Sequence, residues 1–175
     1  ITAVLSIDDK EVTRKTVYVQ NSVDYYPQPL TYISGSVNQR KAITVEWRSP
    51  DINKGLDAYN AVMKFSIERM NEDENIWRPL KDSSGNDLLL FEGMENSNFT
   101  KSEDGLYSYR DDTAEAADKY NENLYKYRVT PKYCLTVNGN EVVYSGDESE
   151  NNITQTCYVQ DEEVKSFEAR TVSGF

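Results

Sequence analysis

Apolar and polar residues alternate with a period of two along much of the chain. Ile43, Val45 and Trp47 interleave with Thr44, Glu46 and Arg48, the pattern of a strand with one buried face, and Pro50-Asp51 ends it. Met63, Phe65 and Ile67 repeat the pattern in the run that ends at Arg69. A polar turn from Asn71 to Asn75 leads into Ile76-Trp77-Arg78-Pro79-Leu80. This predicts a hairpin with Pro79 on a sheet edge, because proline cannot donate to a ladder. Residues 81–105 are polar and turn-forming around one apolar run, Leu88-Leu89-Leu90-Phe91, and predict a long excursion holding one strand. Further strands are predicted at Leu106–Arg110, from Leu124 past Pro131 to Val137, and from about Ile153 to Val159. Between Val137 and Asn140, Asn138-Gly139 predicts a type I′ turn, since both residues tolerate positive φ. Asp112 to Asn121, with its Ala-Glu-Ala-Ala, reads either as one helical turn or as a crossover loop. No longer helix is supported, so the fold class is all-β.

Composition narrows the function. The chain has 175 residues, 19 Lys and Arg against 30 Asp and Glu for a net charge of −11, and no histidine. This length suits one large domain, or one domain with extra strands, and buries roughly 70 % of its unfolded surface without needing staples. The acidic surface repels phosphate backbones and anionic lipid, so nucleic acid is not expected as a partner. No run of about 18 apolar residues is present and mean hydropathy is −0.73, so no membrane insertion is expected. Without histidine, Ser-His-Asp and Cys-His catalysis is excluded, and two cysteines are too few for the usual zinc sites. Hydrolysis by paired carboxylates and calcium binding survive that cut. Thirteen tyrosines against five phenylalanines suit exposed sheets, where amphipathic rings pack on pleated faces. The chain begins at Ile1 with neither an initiator Met nor a signal segment, which leads to the expectation of a piece of a longer extracellular or cell-surface protein.

In order along the chain, Ile43-Thr44-Val45-Glu46-Trp47, Tyr59 to Arg69, Trp77-Arg78-Pro79-Leu80, Tyr109-Arg110-Asp111-Asp112-Thr113 and Tyr125-Lys126-Tyr127-Arg128-Val129 resemble a fibronectin type III domain, spanning about residues 30–159. The resemblance implies an immunoglobulin-like β-sandwich with a buried Trp47 on the second strand. It also implies Tyr125 as the tyrosine-corner residue opening the sixth strand, with Tyr127 and Val129 packed on Trp47. The chain exceeds the length usual for that family, so long loop insertions at 81–105 and around Asn138-Gly139 are expected, with extra terminal strand segments. In this architecture the strands carrying Cys134 and Cys157 are neighbours, which implies a disulfide closing a loop of about 23 residues and worth roughly 3 kcal/mol. Two buried free thiols are the alternative.

The two ends match each other. Thr16-Val17-Tyr18-Val19-Gln20 recurs about 140 residues on as Thr156-Cys157-Tyr158-Val159-Gln160, and Ile33-Ser34-Gly35 recurs as Val172-Ser173-Gly174. Residues 1–20 therefore read as a terminal strand region or the end of a preceding repeat. Residues 21–159 form the sandwich, and 160–175 a linker or the start of a following repeat. The alternative is one enlarged sandwich whose edge strands resemble each other. Val17, Tyr18, Val19, Tyr158 and Val159 are the candidate inter-unit contacts, with neighbouring copies or adjacent domains as partners.

Other candidates each have a plainer reading. Asn98-Phe99-Thr100 and Asn152-Ile153-Thr154 are glycosylation sequons, and sequons also arise by coincidence in an Asn-rich chain. Asp111, Asp112, Asp161 and Glu162 are weak calcium candidates without the spacing of a dedicated loop, and solvated surface charge is the plainer reading. Nothing places two carboxylates across a cleft, so no enzyme activity is expected and no cofactor beyond that calcium. Tyr25-Tyr26-Pro27-Gln28-Pro29 reads as a stiff packed linker or a contact patch. No Arg-Gly-Asp tripeptide occurs. Together these lead to the expectation of a non-catalytic structural or adhesive module from a repetitive protein such as a filament or layer. The alternative is a carbohydrate- or protein-binding module using loop 81–105 and exposed tyrosines, possible also as an accessory domain of a secreted glycoside hydrolase.

Overall fold

A computed structural model of the chain describes residues 2–7, 10–16, 25–37, 39–116, 122–146, 148 and 150–160. In chain order the strands are β1 (Thr2–Ile7), β2 (Lys10–Thr16), β3 (Tyr32–Gly35), β4 (Gln39–Arg40), β5 (Ile43–Arg48), β6 (Val62–Asn71) and β7 (Ile76–Pro79). After these come β8 (Leu89–Phe91), β9 (Phe99–Lys101), β10 (Tyr107–Asp111), β11 (Tyr125–Val137), β12 (Asn140–Ser145) and β13 (Val159–Gln160). One antiparallel sheet has the order β3-β5-β10-β9. The other has the order β12-β11-β6-β7, with β8 on the same edge of β6 as β7. The protein is an all-β sandwich of two antiparallel sheets, compatible with an immunoglobulin-like domain. No helix among the described residues is long and apolar enough to cross a membrane.

The alternation seen in the sequence sets which face is buried. Ile43, Val45 and Trp47 on β5 are wholly buried, as are Phe65 and Ile67 on β6 and Tyr127 and Val129 on β11. Trp47 is the centre of an aromatic stack: its ring lies 5.8 Å from Tyr107 and 6.1 Å from Phe99 in near-parallel arrangement, and 5.3 Å from Phe65 edge-on. Such pairs add to the area that they bury, because ring edges and faces carry opposite partial charge. The hairpin from β11 to β12 turns at Asn138 (φ 51°) and Gly139 (φ 80°), both in the left-handed region that the type I′ turn requires.

Three local expectations change. Residues 81–105 hold the expected strand at β8 and also a second one, β9, with Leu88, Leu90 and Phe99 in the core and most of the other residues exposed. No helical turn forms over residues 112–116, which pass as turn and loop with Ala114 buried, while 117–121 lie outside the described residues. A 3-10 helix at Lys54–Tyr59, capped by the Asn53 side chain accepting from the Gly55 amide, was not legible as a helix. It drops Leu56 against Tyr133 and Leu135, forming a second small core under the extension of β11. Tyr25 and Tyr26 pack on the same extension, their rings each 5.4 Å from that of Tyr144.

The last strand is discontinuous. After β12 the chain leaves the sheet through Gly146 and a 3-10 turn at Glu150–Asn152, then returns beside the start of β11 at single bridges, Arg128 to Ile153 and Tyr125 to Cys157. Between them the Thr154 hydroxyl takes the place of a backbone carbonyl, accepting from the Tyr127 amide at 3.0 Å while the Thr154 amide donates to the Tyr127 carbonyl at 2.9 Å. β13 then pairs in parallel with β4. β1 and β2 form a two-stranded antiparallel sheet of their own.

This path overturns the Cys134–Cys157 disulfide. Cys157 lies opposite Tyr125, whereas Cys134 lies opposite Val62 and Val143, about nine positions or roughly 30 Å further along β11. A disulfide needs Cα atoms within about 7 Å. The hairpin turn sends β12, not the Cys157 segment, past Cys134. Both cysteines are buried and free, and burial pushes both thiols up, which keeps them protonated. Cys157 instead fills space against β3. A Cβ built on Gly35 would lie 2.3 Å from its Sγ, which explains a glycine inside a strand. Gly35→Ala is expected to cost about 1–3 kcal/mol in urea unfolding followed by Trp fluorescence. Adding Cys157→Ala to it should recover part of that loss, although Cys157→Ala alone destabilises.

Candidate functional site

The most organised polar group in the sandwich is at the end of β10. Asp111 points inward with the β10 residues Tyr107 and Tyr109, so its carboxylate enters the space between the sheets and is only 1 % exposed. An isolated buried carboxylate would be costly, and four donors compensate it. Oδ2 accepts from Arg69 Nη1 and from the Tyr127 hydroxyl, each at 2.8 Å. Oδ1 accepts from the Thr113 amide at 3.0 Å and its hydroxyl at 2.6 Å. These donors come from β6, from β11 and from the turn after β10, so one side chain ties both sheets and the crossover. Burial first, and then the Asp111 charge, push the Tyr127 phenol far up, so it remains a donor. Next to this group the Arg69 guanidinium lies 5.0 Å over the Tyr125 ring, and the Tyr125 hydroxyl accepts from the Glu115 amide in the crossover at 3.3 Å.

This network forms one wall of a groove of about 600 Å³ that opens where β9 ends and leaves the far part of β10 uncovered. Arg69, Arg78, Lys81, Tyr109, Asp111 and Glu115 face it. Tyr109 is 7 % exposed, and its hydroxyl is not among the buried polar atoms left without a partner. Its phenol is pushed up to about 12 by burial, with the charges of Asp111 and Asp112 adding to the effect. The outer face of the other sheet, by contrast, is occupied by its own pairs. Arg128 bonds Glu68 at 2.6 Å and Glu148 at 3.1 Å while lying 4.8 Å over the Trp77 ring.

The residues singled out by sequence fall into distinct places. Trp47, Tyr125, Tyr127 and Val129 are all buried in the main core. Asp111 has its oxygens filled by four protein donors, which leaves it unsuited as a calcium ligand, and Asp112 is exposed on the turn beside it. Among the described residues no group of three His, Cys, Asp or Glu is placed to hold a metal. Asn98 is half-buried in the turn before β9, with its carbonyl accepting from the Arg110 amide at 2.8 Å. Asn152 is wholly buried and its Oδ1 accepts from the Leu30 amide at 3.1 Å, so the folded chain has no room for a glycan there. Val159 is buried and Tyr158 is exposed. Val17, Tyr18, Val19, Asp161 and Glu162 lie outside the described residues. Sequence reasoning missed Arg69, whose signal was its position on β6 opposite Tyr127, and Thr154, which looked like half of a sequon.

Replacing Asp111 with Asn is expected to lower stability by roughly 3 kcal/mol, because Arg69 loses its partly buried counter-charge. Tyr127→Phe should cost about 1–2 kcal/mol, and the double variant should fall short of the sum, since both changes empty the same oxygen. Urea denaturation of the three variants measures this. Neither a protein-family model nor a curated protein matches the chain.

Proposed function

We propose that this chain is a fibronectin type III-like structural module of a repetitive extracellular or cell-surface protein, non-catalytic, acting through end-to-end contacts with neighbouring copies. The observation that carries this reading is the relation between the ends. The segment Thr156–Gln160 is the closing strand of the sandwich, bonded to β11 through Cys157 and to β4 through β13. Its match, Thr16–Gln20, begins at the last residue of β2, in a two-stranded sheet separate from both sandwich sheets. In this reading β1 and β2 are the end of a preceding unit, aligned at the same offset with β12 and the segment that follows it. A lone two-stranded hairpin is marginal in water, so it needs the rest of such a unit to cover it. Tyr25, Tyr26 and Pro27 then form a stiff connection seated on the β12 end of the next sandwich.

The chemistry of the described residues supports a non-catalytic role. Both thiols are buried and protonated, and the one deeply buried carboxylate is spent on architecture. The carbohydrate- or protein-binding alternative would use the exposed turns of 81–105, between which Leu88, Leu90 and Phe99 enter the core.

The test is a chain lacking residues 1–20. If the hairpin belongs to another unit, the shortened chain keeps its urea midpoint and slope, and its Trp fluorescence is unchanged. A loss of more than about 2 kcal/mol would show that the hairpin is part of one enlarged sandwich.

A further inference from the structure

An asparagine or aspartate followed by glycine or serine is a reactive point in a polypeptide backbone. The amide nitrogen of the small residue is unhindered, so it can attack the preceding side-chain carbonyl and close a cyclic imide. Four such pairs lie among the described residues: Asp82-Ser83, Asn96-Ser97, Asp104-Gly105 and Asn138-Gly139.

The fold engages the reacting groups of three of them. Asp82 Oδ1 accepts from the Asn86 amide at 2.9 Å and the Ser84 amide at 2.8 Å, and these bonds hold its carboxyl below the ordinary value. The Ser102 hydroxyl and the Arg48 guanidinium bind the Asp104 carboxylate and pull it down to about 2. The Gly105 amide, the nucleophile of that pair, donates to the Ser102 carbonyl at 3.0 Å. An ionised carboxylate offers no leaving group, so both aspartates resist imide formation. Asn96 Oδ1 accepts from the Asn98 amide at 2.9 Å, which fixes that side chain within its own turn.

Asn138-Gly139 has none of this protection. Both residues are exposed, and the bond that Asn138 accepts, from Asn140 Nδ2 at 3.5 Å, goes to its backbone carbonyl. Among the described residues neither its side-chain amide nor the Gly139 N–H is engaged. The pair also sits where the backbone can open. β11 is bonded to β6 only as far as Cys134, so Leu135 to Val137 are held by β12 alone. A two-stranded ribbon of this kind is marginal by itself, and its opening frees the turn angles and lets the Gly139 nitrogen approach.

We infer that Asn138-Gly139 is a site of spontaneous backbone modification, deamidating to aspartate and isoaspartate and so loosening the tip of the β11–β12 hairpin. The Gly139 nitrogen bonds to Asn138 Cγ, and its proton leaves with the side-chain nitrogen as ammonia. Water then opens the imide at either carbonyl, with no change of oxidation state. Opening at the backbone carbonyl gives isoaspartate, in which the main chain runs through the former side chain and gains one methylene. A type I′ turn closes over two residues of fixed geometry, so the added carbon unpairs Val137 from Asn140. Leu135 and Val137 then lose their hold on the small core around Leu56. The inference is independent of the tandem-module reading, since it concerns one sandwich alone.

The experiment is to age the full chain in mildly alkaline buffer and follow it by anion exchange and by peptide mass spectrometry with electron-based fragmentation, which separates isoaspartate from aspartate. A species with one more negative charge should accumulate, with the amide-to-acid mass gain at Asn138 ahead of Asn96 and no isoaspartate at Asp82 or Asp104. Asn138→Gln should abolish the gain at this position. The modified fraction should show faster amide exchange at Leu135, Val137 and Val142 than the fresh chain. Asn138→Asp, prepared directly, should keep the fresh chain's protection, because Asp-Gly also suits the turn. The inference is overturned if residue 138 gains no acid, if Asn96 is modified as fast, or if the modified fraction exchanges like the fresh chain.

Discussion

The sandwich depends on one buried carboxylate. Two sheets facing each other through apolar side chains can slide, because apolar contact is non-directional. Asp111 removes that freedom: its two oxygens have directions, and they are met from β6 by Arg69, from β11 by Tyr127 and from the turn by Thr113. The same geometry places Tyr125 under Arg69 and carries the crossover across the top of the core. A buried charge with four donors is worth more as a device for register than as a source of net stability, since desolvation offsets much of what the bonds contribute. The aromatic stack on Trp47 fills the centre of the core, and Asp111 adds directional bonds at its end.

Much of this was legible in the sequence where one physical rule dominated. Period-two alternation located β5, β6 and the first half of β11, and Asn138-Gly139 located the β11–β12 turn because few residue pairs accept two positive φ angles. The run Tyr109–Thr113 entered through the family resemblance, and Asp111 separately as a calcium candidate or solvated charge rather than as a buried clamp. Sequence patterns fail where side chains substitute for backbone. Thr154 stands in for a ladder carbonyl, so the closing strand does not alternate. Asn152 satisfies the Leu30 amide, so a residue type common on surfaces is wholly buried. The disulfide expectation failed for a related reason. Strand adjacency does not fix register, and the departure of the chain at Gly146 shifts Cys157 along β11 far from Cys134.

The groove and the terminal segments concern different parts of the molecule. The groove lies at the end of β10 beyond its three-residue pairing with β9, between the Asp111 network and the end of β7. The terminal segments lie elsewhere: β13 pairs in parallel with β4, and Tyr25 and Tyr26 seat on Tyr144.

Native-state hydrogen exchange tests the central claim most directly, that the sandwich is one cooperative unit clamped through Asp111 and independent of the β1–β2 hairpin. Amides of β5, β6, β10 and β11 should exchange only through global unfolding, with one common free energy, while those of β1 and β2 exchange through a separate and lower one. A single shared free energy for β1, β2 and the sandwich would contradict the account, as would opening of β10 at a free energy well below that of β11.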